Sequence, residues 1–228
     1  MIEPEDIRKY LPKYLSSSAQ DSLFEELKKF PDNIDQRLYT NYLQDDPHIF
    51  QGGGVSDLLF VHLPSQEIKP APGMVLSNTC DIDPANRRFM PMRMVYAPII
   101  NLEKYRQALY IDHVQTGKKS DESINSHIQE IKKQHISHIF YLPQGEALDN
   151  DSIVFFDRLN NCSVDFFQNK PIQHTRLFTL SDYGYYLSLF KLSVHFTRIR
   201  EGLARSSGTD NQMVMEDYGI YGYYANNL

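Results

Sequence analysis

The sequence contains no tryptophan and only two cysteines among its 228 residues. Two cysteines are too few for a disulfide-stapled scaffold or for a zinc site with four cysteine ligands. Cys80 and Cys162 lie in different motifs, so nothing in their placement requires them to pair. We therefore expect two reduced thiols, and we expect neither a metal site nor a cofactor.

Long apolar segments are absent as well. No apolar run approaches the roughly 20 residues that a membrane-spanning helix needs. The N-terminus, MIEPEDIRKY, is acidic and polar, whereas a signal peptide begins with basic residues and continues with an apolar stretch. These two observations predict a soluble, cytoplasmic protein without a membrane partner.

Basic residues are in the minority. The chain has 23 Lys and Arg against 29 Asp and Glu, which gives a formal net charge of −6. Lysine and arginine supply most of the non-specific affinity for nucleic acid, so this balance counts against a general nucleic-acid binder. A local basic groove can still exist on an acidic protein, and net charge leaves that alternative open.

Residues 1–45 are predicted to form an N-terminal helical extension. Apolar residues at helical spacing predict one helix behind Pro4, and Ser18 with Asp21 predicts the start of a second helix. Pro31 would end that second helix. Two short helices cannot bury both their faces alone, so the extension must pack on the rest of the chain or on a partner. The apolar positions are Ile7, Tyr10, Leu11, Tyr14 and Leu15, followed by Leu23, Leu27 and Phe30.

Residues 46–204 are predicted to form a mainly β domain with added helices, an α+β fold. Short apolar runs that are rich in β-branched residues and are closed by Pro or Asn predict strands. An insertion at about 101–137 carries two helical patterns, and residues 205–228 read as a flexible, tyrosine-rich tail. The predicted strands cover residues 57–63, 73–77, 94–100, 138–142, 152–157 and 173–180.

The longest predicted helix covers residues 181–204 and begins at a Ser-Asp cap. Its apolar residues cover more than one face, which indicates a helix held between its own domain and something else. Four basic residues share one stripe, which predicts the solvated face of the helix, with a basic ridge as the alternative. They are Lys191, His195, Arg198 and Arg205.

Three consecutive glycines, Gly52 to Gly54, precede the first predicted strand. Glycine allows positive φ and close backbone approach, so a phosphate cradle is conceivable. No lysine or helix follows in the way that a P-loop requires, which favours a flexible entry into the strand.

Three stretches of the chain, taken in order, carry a family resemblance. They are PAPGMVLSN with DPANRR and MVYAPII (70–100), YLPQGEALDNDSIVFFDRLNN (141–161) and RLFTLSDYGYYLSLFKL (176–192). Their order and wording resemble the PemK/MazF family of bacterial toxins, which are small SH3-like barrels that form dimers and cut RNA without a metal. The resemblance implies such a barrel here, with an N-terminal helical hairpin, an inserted helical arm and a long C-terminal helix. The positions that keep the family pattern are Pro72, Val75, Leu76, Ser77, Asn86, Arg87, Pro98 and Ile99.

Two positions depart from that pattern. Where the family places its cleavage arginine this chain has Ala71, and where the family places a threonine or serine it has Ile100. A metal-independent ribonuclease must stabilise a doubly charged phosphorane and move two protons, which neither side chain can do. Phe155 also stands where some members carry a second catalytic arginine. The resemblance therefore argues for the barrel more than for its usual activity.

Two loops carry the candidate site residues. The first loop contains Asp81 and the pair Asn86 and Arg87, which match the family's Asn-Arg. Arginine presents a fork of donors that fits phosphate oxygens, so these residues and Arg88 are candidate substrate contacts. The second loop ends the predicted strand 152–157, where the family often has an acidic residue. It contributes Asp157, Arg158 and Asn160.

Two functions remain open on this evidence. The leading hypothesis is a diverged PemK/MazF-like protein of a bacterial toxin–antitoxin or defence system that is not an enzyme and binds a protein or nucleic acid. The alternative is a metal-independent endoribonuclease whose catalytic groups have moved to Asp81, Arg87 and Asp157. A protein partner would bind the N-terminal helices, the long C-terminal helix or the tail, and the resemblance implies single-stranded RNA and a homodimer as further partners.

Overall fold

The computed structural model describes residues 17–197, except residues 33, 63, 65–66, 87, 118–119, 146–147 and 168–170. Within these residues the chain has an α+β fold, in which six α-helices accompany a seven-stranded antiparallel sheet. The strands are β1 (Gly54–Val61), β2 (Ile68–Val75), β3 (Arg93–Asn101), β4 (Ile139–Leu142), β5 (Ser152–Phe155), β6 (Asn160–Ser163) and β7 (Arg176–Phe178). The helices are α1 (Ser17–Lys28), α2 (Thr79–Ile82), α3 (Leu102–Thr116), α4 (Asp121–Lys132), α5 (Ile172–Thr175) and α6 (Asp182–Phe196).

The sheet is organised around β3, which is long enough to pair with three other strands. Its first half pairs with β6, its middle with β2 and its last residues with β5. The strand order is β4-β5-β3-β2-β1-β7, and β6 lies off this path on β3. The sheet is open, since no ladder among the described strands joins β4 to β7. The predicted α+β class is therefore confirmed, whereas the sheet itself does not close into a barrel.

The opening begins where β2 and β3 separate. The β2–β3 ladder ends at Gly73 and Pro98, and the last residues of β3 pair with β5 on the other side of β3. The first half of β2, from Ile68, then pairs with β1 alone among the strands described. Pro70 and Pro72 lie in this half, and proline, which has no N–H, is typical of an edge without a partner strand.

Three apolar clusters form the core. The first lies between the sheet, α1 and α6, where Leu23 and Phe24 of α1 contact the cluster that contains Leu187. The second lies under α3 and α4, and the third lies among β1, β2 and β3. Helix α1 thus packs on its own chain, while the first predicted helix of the extension lies outside the described residues.

The inserted helices follow the sequence prediction closely. The Asn101 side chain accepts a hydrogen bond from Lys104 N at 3.0 Å and caps α3, and Ser120 caps α4 by accepting one from Ser123 N at 3.2 Å. Helix α3 begins where the sequence predicted a helix, whereas the Ser120 cap begins α4 within residues 117–123, which the sequence predicted as a turn. The buried stripe of α4 consists of Ile124, Ile128 and Ile131.

Two predictions about strands were wrong. Strand β6 lies in a stretch that the sequence indicated as a polar run, because its pairing with β3 overrides a weak local preference for strand. The predicted strand 173–180 begins instead as helix α5, and only Arg176–Phe178 pair with β1.

The loop before β1 is held by Arg176, whose guanidinium donates hydrogen bonds to carbonyl oxygens of Leu43, Gln44, Asp46 and His48.

Helix α6 begins at the predicted cap, where the Ser181 side chain accepts a hydrogen bond from Gly184 N at 3.2 Å. Gly184 lets the helix approach the preceding chain, since a Cβ there would lie 2.3 Å from Leu38 O. One side of α6 is buried, and Phe190 and Phe196 on other sides are exposed. The predicted extension of α6 to residue 204 lies outside the described residues. Among the helices in the described part of the chain, none is long and apolar enough to cross a membrane.

Candidate functional site

The two positions that depart from the family pattern face different apolar clusters. Ala71 is 7% exposed and belongs to the cluster among β1, β2 and β3, whereas Ile100 is 3% exposed and lies under α3 and α4. Continuing the β2–β3 register would place these residues opposite each other, but the ladder ends two residues earlier. Both side chains therefore contribute to packing, and they do not share a groove.

The loop between β2 and β3 is braced by its own polar groups. The Asn78 side chain accepts a hydrogen bond from Cys80 N at 2.9 Å, which caps the short helix α2. The Asn86 Nδ2 group donates to Cys80 O at 2.6 Å, and Ile82 anchors the loop in the core. The amide of Asn86 is thus used inside the loop.

The charged residues of this loop also pair with each other. Arg88 forms an ion pair with Asp81, and both side chains are about half exposed. Arg87 lies outside the described residues. At the tip of the loop Phe89 is fully exposed and Met90 is 70% exposed, so the brace holds two apolar side chains in solvent.

The second loop joins β5 to β6. Asp157 is exposed, and the Arg158 guanidinium lies 4.2 Å from the centre of the Phe155 ring. The Asn160 side-chain oxygen accepts a hydrogen bond from Val61 N at 2.9 Å and thereby ties β6 to the end of β1. This tie positions the whole turn beside the β1–β2 hairpin.

The two groups that the sequence combined into one site lie in separate loops. The first loop enters β3 at Arg93, which is opposite Ser163, whereas Asp157 precedes Asn160 at the other end of β6. Asp81 pairs with Arg88 within the first loop. A catalytic role for Asp81 and Asp157 stays a prediction.

One residue that the sequence analysis missed is His62, directly after β1. Its Nε2 atom is buried and has no hydrogen-bond partner among the residues that the structure describes. Burial lowers the pKa of the His62 imidazole, and Arg158 and Lys69 lower this pKa further, whereas Glu67 acts in the opposite direction. The three charged side chains therefore lie within electrostatic reach of His62, and the imidazole is neutral at neutral pH.

The sequence did contain a signal for this cluster. Leu58 and Phe60 are the buried positions of β1 after its register shift, and His62 has the same parity, so it lies at the end of the inward-facing row. Lys69 pairs with Phe60 across the hairpin and has the parity of Ala71 on β2. The cluster thus lies where the inner face of the hairpin reaches solvent. We call His62, Glu67, Lys69 and Arg158 the hairpin cluster.

The glycine run does not hold a phosphate cradle. Gly52 N donates to Val75 O at 2.8 Å and Gly53 N donates to Phe50 O at 3.0 Å, so both amides are already used. Gly52 has φ +83°, a backbone conformation that glycine adopts without strain. The run forms an ordered turn into β1.

Lys191 contradicts the prediction of a solvated stripe on α6. It is only 6% exposed, and its Nζ atom donates to Gln134 Oε1 at 2.6 Å. Gln134 also hydrogen-bonds both backbone polar groups of Tyr141. Burial lowers the pKa of Lys191 to about 7. Lys191 therefore joins α6 to the end of the inserted arm, while Arg198 and Arg205 lie outside the described residues.

Among the residues that the structure describes, no three His, Cys, Asp or Glu side chains are grouped so that they could hold a metal ion. A scan of protein-family models gave no match to this chain, and a search of curated proteins gave none. The resemblance to PemK/MazF toxins therefore depends on the sequence motifs alone.

Proposed function

We propose that this chain is a diverged PemK/MazF-type protein of a bacterial toxin or defence system that binds single-stranded RNA without the family's ordinary cleavage chemistry. The observation that carries the proposal is the burial of Ala71 and Ile100 in two separate apolar clusters. Side chains packed in apolar clusters cannot contact a scissile phosphate.

An SH3-like barrel is part of the proposal. Strands β1, β2, β3 and β6 surround the third apolar cluster. Two side-chain contacts bring this group of strands back to β1, since Asn160 accepts from Val61 N and the Tyr96 hydroxyl donates to Leu59 O. In a closed barrel, a ladder of backbone hydrogen bonds would occupy the position of these two side-chain contacts.

We expect a bound RNA strand to lie along β6. Arg158 precedes this strand, Arg93 pairs with its last residue, and Arg88 lies in the adjoining loop. Phe89 stands fully exposed next to Arg88. Exposed aromatic rings stack on unpaired bases, and arginines contact the backbone, so this surface fits single-stranded RNA better than a duplex.

The test is an incubation of pure protein with a long mixed-sequence RNA in EDTA, together with a binding measurement on a labelled single-stranded oligonucleotide. We expect salt-dependent binding and intact RNA. Absence of binding at low salt would refute RNA binding, and specific cuts would refute the loss of cleavage.

A second candidate is the endoribonuclease, and the hairpin cluster favours it. A neutral imidazole can accept a proton, and two neighbouring cations can stabilise a phosphorane. In this version the reactive groups are His62, Lys69 and Arg158 rather than Asp81, Arg87 and Asp157. The same incubation tests it, because cuts that disappear in His62→Ala and persist in Asp81→Asn would establish this enzyme.

A further inference from the structure

Helix α6 is apolar on the side that faces the core and also on part of its outer side. Tyr183, Leu187, Phe190 and Val194 follow one another at helical spacing and form one stripe, which we call the α6 stripe. Tyr183 is 2% and Leu187 is 4% exposed, whereas Phe190 is 49% and Val194 is 40% exposed. Neither Phe190 nor Val194 belongs to an apolar cluster of the described residues. The first half of the stripe is thus covered, and the second half is open.

The helix that carries this open half is nearly uncharged. Apart from Asp182 at its start and the buried Lys191, α6 contains no Lys, Arg, Asp or Glu. A helix that is apolar on all sides is typically buried. The open half therefore fits an apolar segment, and it offers no exposed lysine or arginine to a nucleic acid.

Helix α1 covers the first half of the stripe. Leu23 and Phe24 of α1 lie in the apolar cluster that also contains both buried members of the stripe. The end of α1 is near the start of α6, since Glu26 and Tyr183 both lie within electrostatic reach of Arg37. The start of α1 is consequently directed away from the first turn of α6. The chain that precedes α1 therefore approaches α6 from the side of its later turns, which carry the open half.

That preceding segment, residues 1–16, has the side chains that such a surface requires. Five apolar residues follow helical spacing in it, and charged residues separate them. Sixteen residues span about 24 Å as a helix, and more if Pro12 interrupts the helix, whereas the open half spans about 6 Å of α6. The segment is therefore long enough to cover it. The apolar residues are Ile7, Tyr10, Leu11, Tyr14 and Leu15.

We propose that residues 1–16 pack against the open half of the α6 stripe and bury Phe190 and Val194. Together with α1, the segment then covers one continuous face of α6, and the helix is held between the sheet and its own N-terminal chain. The occupant of this face is thus a segment of the same molecule, in place of a second copy or a partner protein. This packing is independent of RNA binding along β6, so either proposal can fail alone.

Limited digestion of the full chain with trypsin tests this packing. The segment contains cleavage sites after Arg8, Lys9 and Lys13. A protease cuts such sites in proportion to the population in which the segment is released. We expect cleavage in the wild-type protein to be roughly tenfold slower, or more, than in a synthetic peptide of residues 1–16. Equal rates in the protein and the peptide would overturn the proposal.

The variant Phe190→Ser should release the segment. Because half of this side chain is still available for burial, its loss should raise the cleavage rate after Lys9 and Lys13 by roughly fivefold to tenfold. Phe196→Ser is the matched control, since Phe196 is 58% exposed on the same helix but lies about 120° from Phe190 around the helix axis. Equal cleavage rates in the two variants would contradict the packing.

The other possible occupants give different results. If Phe190→Ser speeds cleavage after Arg205, in the tail, and leaves residues 1–16 unaffected, the tail covers the stripe and the proposal is wrong. If Phe190→Ser converts a dimer into a monomer in sedimentation and leaves the cleavage of residues 1–16 unchanged, a second copy covers the stripe and the proposal is equally wrong.

The reciprocal variant changes the segment itself. Leu11→Ser with Leu15→Ser should speed cleavage about as much as Phe190→Ser, with each rate compared with that of a peptide of the same sequence. Combining these changes with Phe190→Ser should add little, because both remove the same contact. Fully additive effects would show that the segment and Phe190 do not touch, which would overturn the proposal.

Discussion

The two ends of the sheet differ in what covers them. At the β4–β5 end every strand residue is buried, and helices α3 and α4 close the face that contains Ile100. At the β1–β2 end Leu59, Val61 and Ile68 remain exposed on the outer face. The hairpin cluster lies at this uncovered end. The inserted helices therefore cover the surface at the β4–β5 end, and the polar side chains of the hairpin cluster lie at the β1–β2 end.

The sharpest test of this comparison restores the family's side chains. Ala71→Arg with Ile100→Thr would rebuild an active site if both positions faced a groove. Because both are buried, we expect a loss of several kcal/mol of unfolding free energy and no cleavage of RNA. Urea denaturation and an RNA assay measure these outcomes.

The control places the same substitutions on exposed positions, as Ala85→Arg with Ile111→Thr. Here the change in unfolding free energy should stay within about 0.5 kcal/mol. A stable Ala71→Arg/Ile100→Thr protein that cuts RNA would show that the covered end is not closed.

The buried ammonium of Lys191, near the covered β4–β5 end, should lower the free energy of unfolding, whereas an exposed cation at the β1–β2 end should not. Because the pKa of Lys191 falls from 10.5 to about 7 on folding, the unfolded chain binds more protons between these values. Unfolding free energy should therefore rise by a few kcal/mol as pH increases from 7 to 10.5.

The comparison for this prediction is Lys191→Met, which should flatten the pH dependence and raise the melting temperature at pH 7. Urea titrations at several pH values measure both. An exposed lysine gives the control, since Lys28→Met should retain the wild-type pH dependence. Parallel curves for wild type and Lys191→Met would contradict the buried-cation argument.

Phe89, the exposed aromatic side chain of the loop between β2 and β3, should affect RNA binding and not stability. Base stacking contributes about 1–3 kcal/mol per base, so we expect Phe89→Ala to weaken RNA binding at least fivefold without changing the salt slope or the melting temperature. Tyr42→Ala is the matched control, because Tyr42 is also 91% exposed but lies in the loop before β1. Equal affinities for the two variants would remove Phe89 from the RNA surface.

The smallest expected effect concerns the tie between β6 and β1. Asn160→Ala removes the hydrogen bond to Val61 N and should cost about 1 kcal/mol of unfolding free energy. Asn125→Ala is the control, since its bond from the Tyr110 hydroxyl is long, 3.4 Å, and exposed. A larger loss in the control would mean that the tie does not hold the open end.

Much of the secondary structure could be predicted because its signals are local. Asn101, Ser120 and Ser181 each cap a helix through a side chain that accepts from the backbone N–H three residues later. The strand alternation of β1 is equally local. Strand β6 could not be predicted in this way, since its polar residues become a strand only when β3 lies beside them.

Arg158 and Asn160 were selected from the sequence, and the structure places them beside the end of β1, while their role in a site stays a prediction. His62 was missed although it continues the inward-facing row of Leu58 and Phe60, because one histidine at a strand end does not show which charged residues lie beside it. Lys191 was wrongly predicted to be exposed, because helical spacing shows which residues share a stripe but not which elements pack against that stripe.

The sequence by itself determined the helices, most strands and the absence of a guanidinium and a hydroxyl at positions 71 and 100. Only the tertiary structure decided that these positions face separate clusters, because β2 separates from β3 after Pro98 while β3 continues along β5 on its other side. It also decided that Lys69 and Arg158 lie within electrostatic reach of His62. Both outcomes depend on contacts between residues far apart in the chain, and such contacts leave no periodic trace in the sequence.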